Sequence, residues 1–260
     1  MPYPHHRLHH FKTREIFHST AADQIATHLL EGLQDSKSQR SQGRGTEGKN
    51  AQGRGTHATA SLFLSGGSTP GPIYKRLAHI PLPWQNINIA LVDERWVDTD
   101  DKGSNAALIS KTLLQERAVS APFFPMKTAH KTARKGQDTV HEIYAPLFKV
   151  PSIATIGMGS DGHVCSWFPR AEGLDTALDP HNPAVTADLY PKRSSVTGNY
   201  LERISLTYSA LLKCKAVILL TTGEAKLDLL KAALYGQKND LPIAHLLKLP
   251  PSVLTLLHAN

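Results

Sequence analysis

Ile153-Ala154-Thr155-Ile156-Gly157-Met158-Gly159-Ser160-Asp161-Gly162-His163 is an apolar run that breaks into a turn of three glycines, an aspartate and a histidine. Its first four residues, bounded by Pro151 and Gly157, have the length and flanks of a buried strand rather than a helix. The same grammar recurs at Ser61-Leu62-Phe63-Leu64, at Ile87 to Val92 and at Ala216 to Leu220, each followed by a polar or glycine-rich turn. Helical periodicity fills the stretches between, over 20–34, 70–79, 105–116, 132–148 and 224–235, with Gly71-Pro72 and Ser104-Asn105 near two of the starts. Buried strands alternating with helices predict an α/β fold, a mostly parallel central sheet with helices on both faces. In such a sheet ligands bind outside the carboxyl ends of the strands, so chemistry is to be sought in the turns that follow them.

The 260 residues carry a formal charge of +7, which favours anionic ligands: nucleic acid, headgroups or phosphorylated metabolites. We read 1–260 as one domain with a flexible insertion at 35–57, a stretch without a large apolar side chain. Its two Gln-Gly-Arg-Gly repeats, at 42–45 and 52–55, resemble arginine-glycine segments that bind RNA, but no aromatic residue is interleaved to stack on bases. Cys165 and Cys214 form no CxxC pair, and no apolar run is long enough for a membrane span or a secretory signal. A cytoplasmic protein is expected, a monomer or weak oligomer with no membrane or nucleic-acid partner. The histidines at 5, 6, 9 and 10 lack an acidic or cysteine partner and are read as solvated, not as a metal site.

Three turns carry candidate chemistry. Gly66-Gly67-Ser68-Thr69 offers close backbone N–H groups and hydroxyls at the start of a helix, the build of a phosphate cradle; a Walker lysine is absent. Asp93-Glu94-Arg95, with Ser104-Asn105 further on, sets charges at a buried strand end, where Arg95 can meet phosphate or an oxyanion and one carboxylate can hold its guanidinium. In the third turn His163 is suited to proton transfer at neutral pH, with Asp161 two residues before it to orient the ring. Cys165, followed by Trp167-Phe168, is read as a packed residue rather than a nucleophile. Lys192 and Arg203 are further cations for an anion site, and Lys226 is assigned a secondary role.

Taken in order, LSGGSTP (64–70), VDERWV (92–97) with SN (104–105), GMGSDGH (157–163) with SWFP (166–169), PK (191–192), ERISLT (202–207) and GEAK (223–226) resemble the 6-phosphogluconolactonase family. The resemblance runs from about Leu8 to the C-terminus, apart from the insertion. It implies a sugar-phosphate isomerase/deaminase-like α/β fold with a small α/β subregion, and cofactor-free hydrolysis of 6-phospho-D-glucono-1,5-lactone. It also implies that His163 is the acid/base, and that Gly66, Gly67, Ser68, Thr69, Arg95, Lys192 and Arg203 contact phosphate or sugar. Asp93 and Asn105 join the expected binding set, and Asp161 and Arg95 the catalytic one. Three departures stand out. Val164-Cys165 and Trp167 replace the family's usual HTASLFPG residues, Asp98 stands at a common proline, and the insertion has no usual counterpart.

Within enzymes the alternative is an amino-sugar-phosphate deaminase or isomerase. Deaminases similar to this chain read DEY where it has Asp93-Glu94-Arg95, and Asn-Glu-Pro where it has Trp167-Phe168-Pro169. Outside that class the alternatives are a basic RNA-binding protein and a catalytically inactive sugar-phosphate sensor. For lactone hydrolysis His163 would deprotonate water and then protonate the leaving C5 oxygen, with no metal required.

Overall fold

The periodicity over 20–34 belongs to a longer helix. α1 (Arg14–Ser41) buries Phe17, Ala21, Ile25, Leu29 and Leu33, spaced four residues apart so that they share one face. The helix continues through 35–41, where a loop was expected to begin at residue 35. Nothing from Asp35 to Ser41 is a glycine or proline, and Asp35 is ion-paired to Lys215, so the intrahelical ladder persists without a large apolar residue. The computed structural model describes residue 3, residues 6–41 and residues 60–260, so the rest of the expected insertion and both Gln-Gly-Arg-Gly repeats lie outside the described residues.

Among the described residues, seven parallel strands form the central sheet: β1 (Leu8–Phe11), β2 (Ala60–Leu64), β3 (Ile87–Leu91), β5 (Phe123–Phe124), β6 (Ser152–Gly157), β9 (Ala216–Thr222) and β10 (Leu254–Ala259). Their spatial order is β1-β10-β9-β6-β2-β3-β5. From β2 the chain moves outward to β3 and β5, then returns to β6 on the other side of β2 and continues to β9 and β10. The reversal opens a crevice at the carboxyl ends of β2 and β6, the place such sheets bind ligands. The two inner strands, β2 and β6, are buried almost throughout, which is why they read as continuous apolar runs. Neither β1 nor β5 was expected, since β1 is an edge strand with two exposed histidines and β5 spans two residues.

The helices are α2 (Gly71–His79), α3 (Asn105–Thr112), α4 (Ala133–Tyr144), α5 (Leu174–Leu178), α6 (Tyr208–Leu211), α7 (Glu224–Leu234) and α8 (Pro242–Leu246). The helix expected over 132–148 gives way to a 3₁₀ turn, 145–149, because Pro146 has no N–H to continue the ladder. No described helix is long and apolar enough to cross a membrane.

A second, antiparallel sheet holds β4 (Asp93–Arg95), β8 (Arg203–Leu206) and β7 (Thr186–Leu189) in the order β4-β8-β7, with α4 and α5 against it. Glu94 ties it to the rest. Its fully buried carboxylate accepts from the backbone N–H groups of Arg95, Asn105 and Ala106 and from Ser104 Oγ, satisfying the start of α3. Glu94→Ala leaves these donors buried and unpaired, so about 3 kcal/mol or more of stability should be lost, roughly 6–12 °C in melting temperature. Thermal denaturation checks this, and an unchanged melting point would contradict the capping role.

Candidate active site

Turns after β2, β6 and β9 converge on one cleft of about 220 Å³. Gly66, Gly67, Ser68, Thr69, Asp93, Arg95, Asn105, His163 and Arg203 all line it, so most of the expected residues, drawn from both sheets, meet there. Lys192 does not. It is exposed on the segment between β7 and β8, which reaches the cleft through Val196 instead.

His163 is held by its own loop. Asp161 Oδ1 lies 2.5 Å from His163 Nδ1 and also accepts from the His163 backbone N–H. With Nδ1 donating to the carboxylate, Nε2 is the nitrogen free to exchange protons with a bound group. Burial by itself would raise the Asp161 carboxyl, but the hydrogen bonds from His163 and the imidazole charge bring it below its ordinary value. Gly159 makes room for the pair, since a Cβ there would fall 2.1 Å from His163 Nδ1. The loop closes through Gly159 N–H donating to His163 O, and is tied to α8 by Ile243 N–H donating to Gly162 O.

Arg95 and Arg203 are direct cross-strand partners on β4 and β8. No described carboxylate forms an ion pair with either, and like charges placed opposite one another repel. Neither Asp93 nor Glu94 holds the Arg95 guanidinium, contrary to expectation: Glu94 is spent on α3, and Asp93 accepts from Ser166 Oγ. Arg95 Nη1 donates instead to Gly103 O and to Asn105 Oδ1, while its Nε is buried without a partner. Asn105 in turn donates to the Asp93 carbonyl. Gly66 must be glycine for this to fit, because a Cβ there would meet Asn105 Oδ1 at 1.9 Å. Arg203 is buried and donates to the carbonyls of Tyr200 and Thr197. Desolvation, with Arg95 beside it, lowers its pKa to about 10, so it keeps its charge at neutral pH. Two neighbouring cations with no ion-paired carboxylate among the described residues make an anion site.

Lys226, at the start of α7, is a third cation in the cleft. Burial lowers its pKa and the charge of Asp161 raises it, with burial prevailing. The cleft is thus where this lysine, assigned a secondary role from the sequence, is placed. Ser65 and Phe168 also line the cleft and were missed; Ser65 Oγ is buried and unpartnered, and the serine stands immediately before the glycine pair. Cys165 shares that wall with φ +52, its thiol pushed well up by burial, so it behaves as a packed residue. Trp167, one of the departures that follow His163, turns into the core and donates from Nε1 to Leu206 O.

Residues 17–253 match the family described as glucosamine-6-phosphate isomerases/6-phosphogluconolactonase. The chain belongs to this family. A 6-phosphogluconolactonase of Xylella fastidiosa is 39% identical over 194 residues, 74% of this chain and 79% of that one. The crystal structure of a 6-phosphogluconolactonase from Shewanella baltica superposes with a TM-score of 0.80 at 29% identity, over 98% of each chain. A monomeric glucosamine-6-phosphate deaminase shares the fold, with a TM-score of 0.72 at 17% identity over 98% of this chain and 97% of that one. The deaminase and this chain thus share one fold.

Proposed function

We propose that the protein hydrolyses 6-phospho-D-glucono-1,5-lactone to 6-phospho-D-gluconate, the lactonase step of the oxidative pentose phosphate pathway. One observation carries the reading: a histidine paired with an aspartate lines a cleft in which three cations, Arg95, Arg203 and Lys226, have no carboxylate ion-paired to them among the described residues. That combination suits a small, phosphorylated, electrophilic substrate. Relatives at up to 39% identity carry the lactonase name, which favours this chemistry over deamination.

The reaction follows from the placement of these groups. His163 Nε2 takes a proton from water as the water oxygen bonds to the lactone carbonyl carbon, and Asp161 holds Nδ1 and stabilises the imidazolium. The carbonyl oxygen becomes an oxyanion. When it re-forms the carbonyl, the bond to the ring oxygen breaks and the imidazolium returns its proton to that oxygen. The turn at Gly66–Thr69 and the three cations supply the positive field for both the phosphate and the oxyanion. Asp93 acts behind this set, through Asn105 and Ser166. We place the activity in the cytoplasm, on a monomer or weak oligomer with a small-molecule substrate as its partner.

The test compares hydrolysis of 6-phospho-D-glucono-1,5-lactone and D-glucono-1,5-lactone by purified protein, each against its spontaneous rate. Strong acceleration confined to the phosphorylated lactone is expected. No acceleration, together with ammonia release from glucosamine 6-phosphate, would replace this reading with the deaminase.

A further inference from the structure

Phe168 is in contact with two residues of the site, His163 and Arg203. On one face its ring stacks on the His163 imidazole, with centroids 4.0 Å apart and planes inclined by 27°. Over its ring lies also the Arg203 guanidinium, whose central carbon is 5.2 Å from the centroid. Every member is anchored independently. Arg203 is bound to two backbone carbonyls and His163 to Asp161. Phe168 is 3% exposed, in a turn whose next-door Trp167 is fastened in the core.

A single hydrogen bond at Nδ1 selects the tautomer of His163 but leaves the ring free to tilt about that bond. Stacking removes the tilt and so fixes where Nε2 points. The aromatic face also attracts positive charge, so it favours the imidazolium formed when His163 has taken a proton from water. We propose that Phe168 is a positioning residue, holding the His163 imidazole in its working orientation and stabilising its charged form through the ring face. The inference rests on the proposed role of His163 as the proton carrier. It gives Arg203 a second duty beside anion binding, which is to brace the ring that braces the histidine.

The charged and titratable groups around His163 are Asp161 at Nδ1, Lys226 and Cys165 along the cleft, and Arg203 at the Phe168 ring. Removing the aromatic ring takes away an attraction for the imidazolium and so disfavours protonation.

The experiment measures kcat, KM and the pH dependence of kcat/KM with 6-phospho-D-glucono-1,5-lactone for Phe168→Leu, Phe168→Met and Phe168→Tyr, with His163→Ala alongside. For the two aliphatic variants kcat should fall about tenfold with KM within about twofold, and the acid limb should move to lower pH by roughly half a unit. Phe168→Tyr, which keeps the face, should recover most of kcat and the original limb. Should Phe168→Leu fail to fold, the more flexible Phe168→Met carries the comparison. An unmoved acid limb, or a kcat within twofold of the parent in a folded aliphatic variant, overturns the proposal. If His163→Ala itself keeps near-parental turnover, the reading of the site has failed rather than the inference about Phe168.

Discussion

His163→Ala should lower kcat for the phosphorylated lactone by roughly 10²–10⁴-fold, the usual worth of positioned acid/base catalysis. KM should change little, because the cradle at Gly66–Thr69 and the cations Arg95, Arg203 and Lys226 are built by other segments. Residual turnover above the spontaneous rate would come from those cations alone, through charge stabilisation of the oxyanion. Binding of 6-phosphogluconate, followed by its effect on the melting temperature, separates lost chemistry from a lost site: the variant should still be stabilised. Turnover near the parental level would remove His163 from the mechanism. The carboxylate partner should be present throughout the neutral range. Since folding depresses the Asp161 pKa, its contribution to stability is present above the unfolded-state value and is lost only as pH falls through the lower, folded one.

The sequence made the inner strands and their turns plain because those strands are buried on both faces and read as unbroken apolar runs. It also marked the turns at 66–69 and 157–163, which meet in the cleft. What it hid were relations between distant segments. Arg95 and Arg203 lie 108 positions apart, and only the antiparallel pairing of β4 with β8 makes them neighbours. The short strand at 93–95 looks in sequence like the end of β3, so the second sheet has no periodicity of its own. Glu94 illustrates a different limit. Beside an arginine it suggested a local ion pair, while its actual partners are backbone N–H groups contributed by the start of α3. Lys192 and Lys226 show the same limit: whether a lysine faces a cleft or water is decided by the packing of its element, which neither motif encodes.

Gly159→Ala tests whether the Asp161–His163 geometry itself is what the reaction needs. The added methyl would lie 2.1 Å from His163 Nδ1, 2.2 Å from Cε1 and 2.7 Å from Asp161 Oδ1, inside the space of the hydrogen bond. Gly159 is not among the glycines of positive φ, so the backbone tolerates alanine and the collision is the only conflict. It is relieved most cheaply by turning the imidazole or the carboxylate aside, because the loop around them is fastened by backbone bonds of Gly159, Gly162 and Ile243. A displacement of about 1 Å at the proton-transferring atom is enough to lower kcat about 10²-fold, with the melting temperature within a few degrees of the parent. Asp161→Asn supplies the comparison. If the methyl acts by breaking the pair, the double variant Gly159→Ala/Asp161→Asn should fall little below the worse single one, since an interaction already lost cannot be lost again. Multiplying losses would show instead that the methyl disturbs the site by a route independent of the pair, and the hydrogen bond from His163 to Asp161 would no longer account for the sensitivity of turnover to this loop.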